Sequence, residues 1–168
     1  MKKQIEIERK FVIKKPVLYK MQAEKNYGMS EITQIYLQNP MGITHRIRSR
    51  KHSEITVYTE TKKRRIDAMS SVEEEREITY IEFENLKNQI KEGTSPIIKE
   101  RHVFEYMGAV VEIDVYPQWK KTAILEVELS SRDEKIELPN FIEIVAEVTG
   151  NFAYSNAAMS RSFPKELI

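Results

Sequence analysis

The 168-residue chain has no cysteine, which excludes a disulfide framework, a cysteine-ligated zinc and a thiol nucleophile. It has only five glycines, too few for a glycine-rich backbone cradle around phosphate, and no Gly-x-x-x-x-Gly-Lys-Ser/Thr loop occurs. The three histidines, His45, His52 and His102, are scattered and read as surface or packing residues. They form neither a histidine metal centre nor part of a Ser-His-Asp arrangement. No apolar run approaches the roughly 20 residues of a membrane-spanning helix, and residues 1–11 are charged, so no signal peptide or membrane partner is expected. An excess of one charge sign is also missing. With 27 Lys+Arg against 26 Asp+Glu the net charge is +1, which argues against nucleic acid held through net charge. A single cytoplasmic domain over 1–168 is the expectation.

What the chain does have is charge placed at every second residue. Strand side chains alternate between faces, so Glu6, Glu8 and Lys10 share one face while Ile5, Ile7 and Phe11 share the other. The pattern recurs at Arg46 and Arg48, at Glu60 and Lys62, at Glu73, Glu75 and Glu77, and at Lys99 and Arg101. It returns at Glu112 and Asp114 and at Glu126 and Glu128. A half-buried sheet also alternates, with its polar face in water. Such a face mixes threonine, serine and glutamine, whereas here like charges stand two apart and repel. Something polyvalent is expected between them.

The periodicity predicts strands over 3–13, 32–38, 44–51, 55–62 and 73–80, and an antiparallel meander over 97–106, 109–116 and 123–129. The strand over 32–38 places Gln34, Tyr36 and Gln38 on one face. Helices are predicted over 17–25 after Pro16, over 81–92 with Gly93 as stop, over 140–148 opened by Pro139, and around 154–160. Residues 64–71 read as a polar loop, with Arg64 and Arg65 solvated rather than folded over a cavity mouth. The fold class is α+β: a closed or nearly closed eight-stranded antiparallel β-barrel with helices packed outside. The outer face must be apolar to hold those helices, so the charged face turns inward and lines a tunnel.

Six cations, Lys10, Arg46, Arg48, Lys62, Lys99 and Arg101, are then expected to point inward. Unpaired buried charges cost several kcal/mol each, so the ligand should be strongly anionic, and a phosphate chain matches arginine best. The acids Glu6, Glu8, Glu75, Glu77, Glu112, Asp114, Glu126 and Glu128 cannot touch phosphate without repulsion and call for a divalent cation. Hard oxygen donors favour Mg²⁺ or Mn²⁺ over Zn²⁺.

In this order the residues resemble the CYTH family, also called triphosphate tunnel metalloenzymes, which includes class-four adenylyl cyclases, thiamine triphosphatases and inorganic tripolyphosphatases. Glu6, Glu8 and Lys10 match its opening Glu-x-Glu-x-Lys, Arg46 and Arg48 an Arg-x-Arg strand, and Lys62 the Thr-x-Lys type. Glu73, Glu75 and Glu77 match the acidic strand, and Lys99 and Arg101 the basic one. Glu112 and Asp114, then Glu126 and Glu128, match the late acidic pairs, and 147–149 with 154–156 complete the set. The resemblance implies a metal-dependent hydrolase of triphosphates, with inorganic tripolyphosphate or a nucleoside triphosphate as the small-molecule substrate. It implies metal ligands Glu6, Glu8, Glu126 and Glu128, then Glu75 and Glu77, with Glu73 and Glu112 behind them and Asp114 orienting an arginine. The phosphate binders would be Lys10, Arg46, Arg48, Lys62, Lys99 and Arg101. Tyr36, in Gln34-Ile35-Tyr36-Leu37, would pair catalytically with Lys62. An adenylyl cyclase, a thiamine triphosphatase with Trp119 or Tyr116 stacking on the ring, and a non-catalytic polyphosphate- or nucleotide-binding module are the alternatives, and a homodimer is left open.

Overall fold

A computed structural model describes residues 2–168. In chain order the elements are β1 (Lys2–Lys14), α1 (Leu18–Gln22), β2 (Lys25–Leu37), β3 (Thr44–His52), β4 (Ile55–Arg65), β5 (Ser70–Ile78), α2 (Tyr80–Leu86), β6 (Ile97–Tyr106), β7 (Ala109–Val115), β8 (Thr122–Glu128), β9 (Ile144–Glu147) and α3 (Asn156–Met159). Single 3₁₀ turns lie at Lys87–Gln89 and Phe152–Tyr154. The strands run in the order β5-β4-β3-β2-β6-β7-β8-β1-β9, and a further β5–β1 pairing closes the first eight into a barrel. Every pairing is antiparallel. β1 makes the closure by changing partners. Residues 2–7 pair with β5 and residues 8–14 with β8.

The apolar core lies mostly outside the barrel wall. Phe11, Ile13, Phe104, Val111, Ile113, Leu125 and Val127 are buried on the outer face under Met21 of α1 and under Ile136, Leu138, Phe141 and Ile142 of the segment before β9. Ile35, Leu37, Ile47 and Ile78 form a second outer patch, roofed by Phe83 of α2. That helix begins with a capping box: Thr79 accepts from the N–H of Glu82, whose carboxylate accepts from the N–H of Thr79. A third cluster, including Val12, Tyr36, Ile97, Tyr116, Trp119, Ile124 and Tyr154, plugs one end of the barrel. Phe163 completes the plug edge-on to Tyr116 and Trp119.

The expected helix over 140–148 does not form. After a turn closed by Ile142 N–H donating to Pro139 O, β9 pairs with Phe11–Ile13 of β1. That stretch of β1 lies beyond the reach of β5, and its backbone groups need partners, a demand that outweighs local helix preference. The helix over 17–25 shortens to α1, and β2 starts at Lys25 because its early residues pair along β6, from Lys25↔Glu105 to Gln34↔Ile97. The expected loop over 64–71 contracts to a tight hairpin. The Asp67 carboxylate accepts from the N–H groups of Met69 and Ser70 at 3.0 Å, which lets β4 and β5 run longer. Among the described residues no helix is long and apolar enough to cross a membrane.

Candidate active site in the barrel lumen

Strand register decides which charges meet. Glu6, Glu8 and Lys10 of β1, Arg46, Arg48 and Arg50 of β3, and Lys63 of β4 share the lumen with Glu73 and Glu75 of β5, Arg101 of β6, Glu112 of β7 and Glu126 and Glu128 of β8. They line a cavity of about 530 Å³. A second cavity of about 900 Å³ opens the other end of the barrel, and Glu6, Arg48, Arg50, Glu73 and Glu75 line both.

The acidic wall is short of cations. Glu8 faces Glu128 across the β1–β8 ladder, and Lys10 faces Glu126. Burial pushes the Glu8 carboxyl up to about 8, reinforced by Glu126, to which it is hydrogen-bonded. Glu6 is raised to about 7 by burial and by Glu73, and Glu128 is raised by burial and by Glu112. Against its own burial, Glu126 is held well below the usual range by Lys10 and Arg101. The Lys10 ammonium lies 3.4 Å from Glu126 Oε1.

The basic wall is short of anions. Arg48 is pulled down to about 9 by burial and by the neighbouring Arg46 and Arg101 guanidiniums. Arg48 Nε and Nη2 donate to Gln34 Oε1 at 3.0 and 2.6 Å. Arg46 reaches Glu73 only at 3.7 Å, and its buried Nε has no hydrogen-bond partner. An orphaned buried donor of this kind costs about 1–3 kcal/mol until an acceptor arrives. Lys63 lies 3.3 Å from Glu73, and Thr61 Oγ1 donates to Glu75 at 2.9 Å.

Deeper towards the plugged end the charges balance. Asp114 accepts from Arg101 Nε and Nη2 at 2.7 and 2.8 Å and from Lys99 Nζ at 2.7 Å. Arg101 Nη1 also meets Glu112 at 2.6 Å. Against burial, Arg101 and Lys99 hold Asp114 well below the carboxylate range. Asp114 therefore orients an arginine.

Two expected residues stand apart from the main cavity. Lys99 is on the lumen side, but its ammonium is sealed at 0% exposure against Asp114. Glu77 lines only the wide mouth. The inward placement expected for Lys62 does not hold. It pairs with His45 and Glu74 in the strand register, on the outer face, as does Glu60, whose carboxylate is bound outside by His45 and Arg76. Side-chain parity is the physical reason: Thr59, Thr61 and Lys63 continue the inward row opposite Arg48, Arg46 and Thr44. The Thr-x-Lys reading falls on Thr61 and Lys63. Arg50, Lys63 and Gln34 are absent from the sequence-based site; parity with Arg46 and Arg48 on the same strand is the signal for Arg50, whereas Lys63 is selected only by the β3–β4 register. Arg65 lines the narrow mouth with Lys91, Ile43 and Phe152.

The donor set suits a hard divalent cation. Glu6, Glu8, Glu126 and Glu128 offer only carboxylate oxygens, two of which share a hydrogen bond where a cation could replace the proton. Among the described residues no three acids converge as a ready-formed metal cluster, as expected of carboxylates that repel one another.

Neither protein-family models nor curated protein sequences give a match to the chain. Solved structures do. The inorganic triphosphatase NE1496 is 27% identical, with a TM-score of 0.61 over 95% of this chain and 96% of that one. The closed eight-stranded barrel with its charged lumen is the fold of the CYTH, or triphosphate tunnel metalloenzyme, family, and the likeness to NE1496 extends over nearly the whole chain. The PH1819 protein of Pyrococcus horikoshii shares this fold at 22% identity and a TM-score of 0.59, over 76% of this chain and 80% of its own.

Proposed function

We propose that the protein is a metal-dependent triphosphatase that cleaves a phosphoanhydride bond of inorganic tripolyphosphate or a related triphosphate. One observation carries the reading. A single lumen holds guanidiniums lacking anions, including the orphaned Arg46 Nε, opposite carboxylates raised to about 7 and 8 for lack of cations. A triphosphate with Mg²⁺ or Mn²⁺ supplies both. The likeness to the inorganic triphosphatase NE1496 supports the same reading.

In this reading Lys10, Lys63, Arg46, Arg48 and Arg101 bind the phosphate oxygens, with the arginines able to meet them bidentately. Glu6, Glu8, Glu126 and Glu128 hold the cation, and Glu75, fixed by Thr61, stands in reserve. When bound, the cation supplies charge neutralisation and Lewis acidity at the phosphate. Tyr36 faces the same cavity and contacts the chain; Lys63 takes the place expected of Lys62. Lys99 keeps a structural role with Asp114, and Glu77 lies outside the machinery. Rate enhancement comes from orientation and preorganised charge, with no covalent intermediate required.

The test is phosphate release from tripolyphosphate, ATP, thiamine triphosphate and pyrophosphate with Mg²⁺, Mn²⁺ or EDTA. Metal-dependent release confined to triphosphates is expected. Release that persists in EDTA, or that survives Glu8→Ala combined with Lys10→Ala, would refute the assignment. Phe152, 64% exposed beside Ile43 at the narrow mouth, offers a face for an organic group, which is why the organic triphosphates belong in the panel.

A further inference from the structure

Gln34 is fully buried on the lumen side of β2. It lies across the ladder from Arg48 and two residues before Tyr36. Its amide bridges the two. Arg48 donates twice to Oε1, and Nε2 donates to the Tyr36 hydroxyl oxygen at 3.1 Å. A guanidinium has donors only, so the amide oxygen must face Arg48. The amide NH₂ is thereby forced towards Tyr36, and the orientation follows from chemistry rather than from the placement of hydrogens.

The consequence falls on the tyrosine. Its hydroxyl acts as acceptor towards Gln34, which leaves its one proton free for another partner. Among the described residues the bond from Gln34 is the only hydrogen bond at that hydroxyl. Tyr36 lines the cavity beside Arg46, its cross-strand neighbour. An oxygen drawn to Arg46 therefore meets a hydroxyl whose proton is uncommitted.

We infer that Gln34 is a positioning residue: by committing its amide oxygen to Arg48 it fixes Tyr36 as a hydrogen-bond donor to a phosphate oxygen of the substrate. This rests on the triphosphatase reading and adds to it an assignment of the tyrosine as donor, not base. The same amide ties that donor to the arginine beside it. Substrate-side geometry at two groups then depends on one side chain that never touches the substrate.

Gln34→Glu is the discriminating variant. The introduced carboxylate still pairs with Arg48 but can only accept from Tyr36, so it takes the tyrosine proton away from the lumen. Steady-state kinetics with tripolyphosphate and Mg²⁺ on wild type, Gln34→Glu, Tyr36→Phe and the double variant form a complete cycle. Each single change is expected to lower kcat/KM about 10- to 100-fold, the effect of one hydrogen bond to a charged oxygen. The double variant should be no slower than Tyr36→Phe alone. Losses that multiply, or a Gln34→Glu enzyme as fast as wild type, would overturn the inference, because a space-filling glutamine has no reason to act through the hydroxyl.

If Gln34→Glu does not fold, Gln34→Met replaces it, with a rise in KM from the freed Arg48 and again no further loss of kcat from Tyr36→Phe. If wild type hydrolyses no triphosphate, the functional reading falls separately and the cycle is read on tripolyphosphate affinity by calorimetry. There, too, non-additive losses support the positioning role and additive losses refute it. No binding by any of the proteins refutes both.

Discussion

Two groups of ions share this barrel and use the same side chains to opposite ends. Towards the plugged end Asp114 takes Arg101 and Lys99 at 2.7–2.8 Å, and every charge there has a partner. In the middle of the lumen Glu8 leans on Glu126, Glu6 feels Glu73, and Arg46 has a nitrogen with nothing to bind. The first group is balanced without a ligand, so the phosphate contact proposed for Arg101 adds to pairings already made. The second is unbalanced, with protons retained on Glu6 and Glu8 near neutral pH, and in the proposed reading a polyanion and a cation complete it. Burial alone does not distinguish structure from site, since both groups are buried. The balance of charge does.

Removing one charge from each group gives the sharpest contrast. Asp114→Asn leaves Lys99 buried without an anion and strips Arg101 of two of its charged contacts, leaving it only Glu112, and should lower stability by about 3–5 kcal/mol, read as a shift of the urea midpoint at constant slope. Glu8→Gln should spare the fold, leaving Tm equal or higher, because a neutral amide can keep the bond to Glu126 that the protonated carboxyl makes and never acquires the charge that appears as pH rises. The same change should cut metal-dependent phosphate release by about 10²- to 10³-fold. A Glu8→Gln protein that melts well below wild type would erase the proposed difference between the two groups.

The contrast also holds across one strand. Lys62 and Lys63 are neighbours in sequence and lie on opposite faces of β4. Lys63→Ala should raise KM for triphosphate about 10-fold or more, the weight of one charge-assisted contact, whereas Lys62→Ala should leave both kinetic constants within about twofold of wild type. Equal effects from the two would mean that the register of β3 with β4 differs from the one described.

That pair also shows what the sequence could and could not carry. The inward charged face, the closure of eight strands and most lumen residues follow from period-two alternation, because the pattern is local. Register across the β3–β4 hairpin is not local. Two adjacent lysines satisfy alternation equally well, and only the pairing of Thr61 with Arg46 selects Lys63. β9 was hidden for a related reason: Pro139 suggested a helix start, while the strand answers a vacancy on the edge of β1 created elsewhere in the chain. The Gln34 bridge was the least visible. A lone polar residue in a strand takes its meaning from Arg48 on the neighbouring strand, and no spacing encodes that.

The smallest effect, and the most direct reading of the unbalanced group, is the pH dependence of the metal-free fold. Glu6 and Glu8 hold protons in the native state up to about pH 7 and 8, whereas their ordinary value is 4.5. Between about pH 5 and 8 the unfolded chain therefore binds fewer protons at these sites than the native one. Stability from these groups must then fall as pH rises. It is fully present below the unfolded value and is lost as pH passes through the folded ones. Glu126 and Asp114 act oppositely, but their folded values lie so low that they contribute to the slope only in acid. Subtracting the Tm profile of Glu8→Gln from that of wild type, both in EDTA, removes the titrations common to the two proteins. The difference should decline across pH 5–8. Saturating Mg²⁺ should flatten it, because a cation that displaces the shared proton binds more tightly as pH rises. A difference that grows with pH in EDTA would mean that Glu8 is stabilised as an anion without any cation, and the two groups of ions would then be alike.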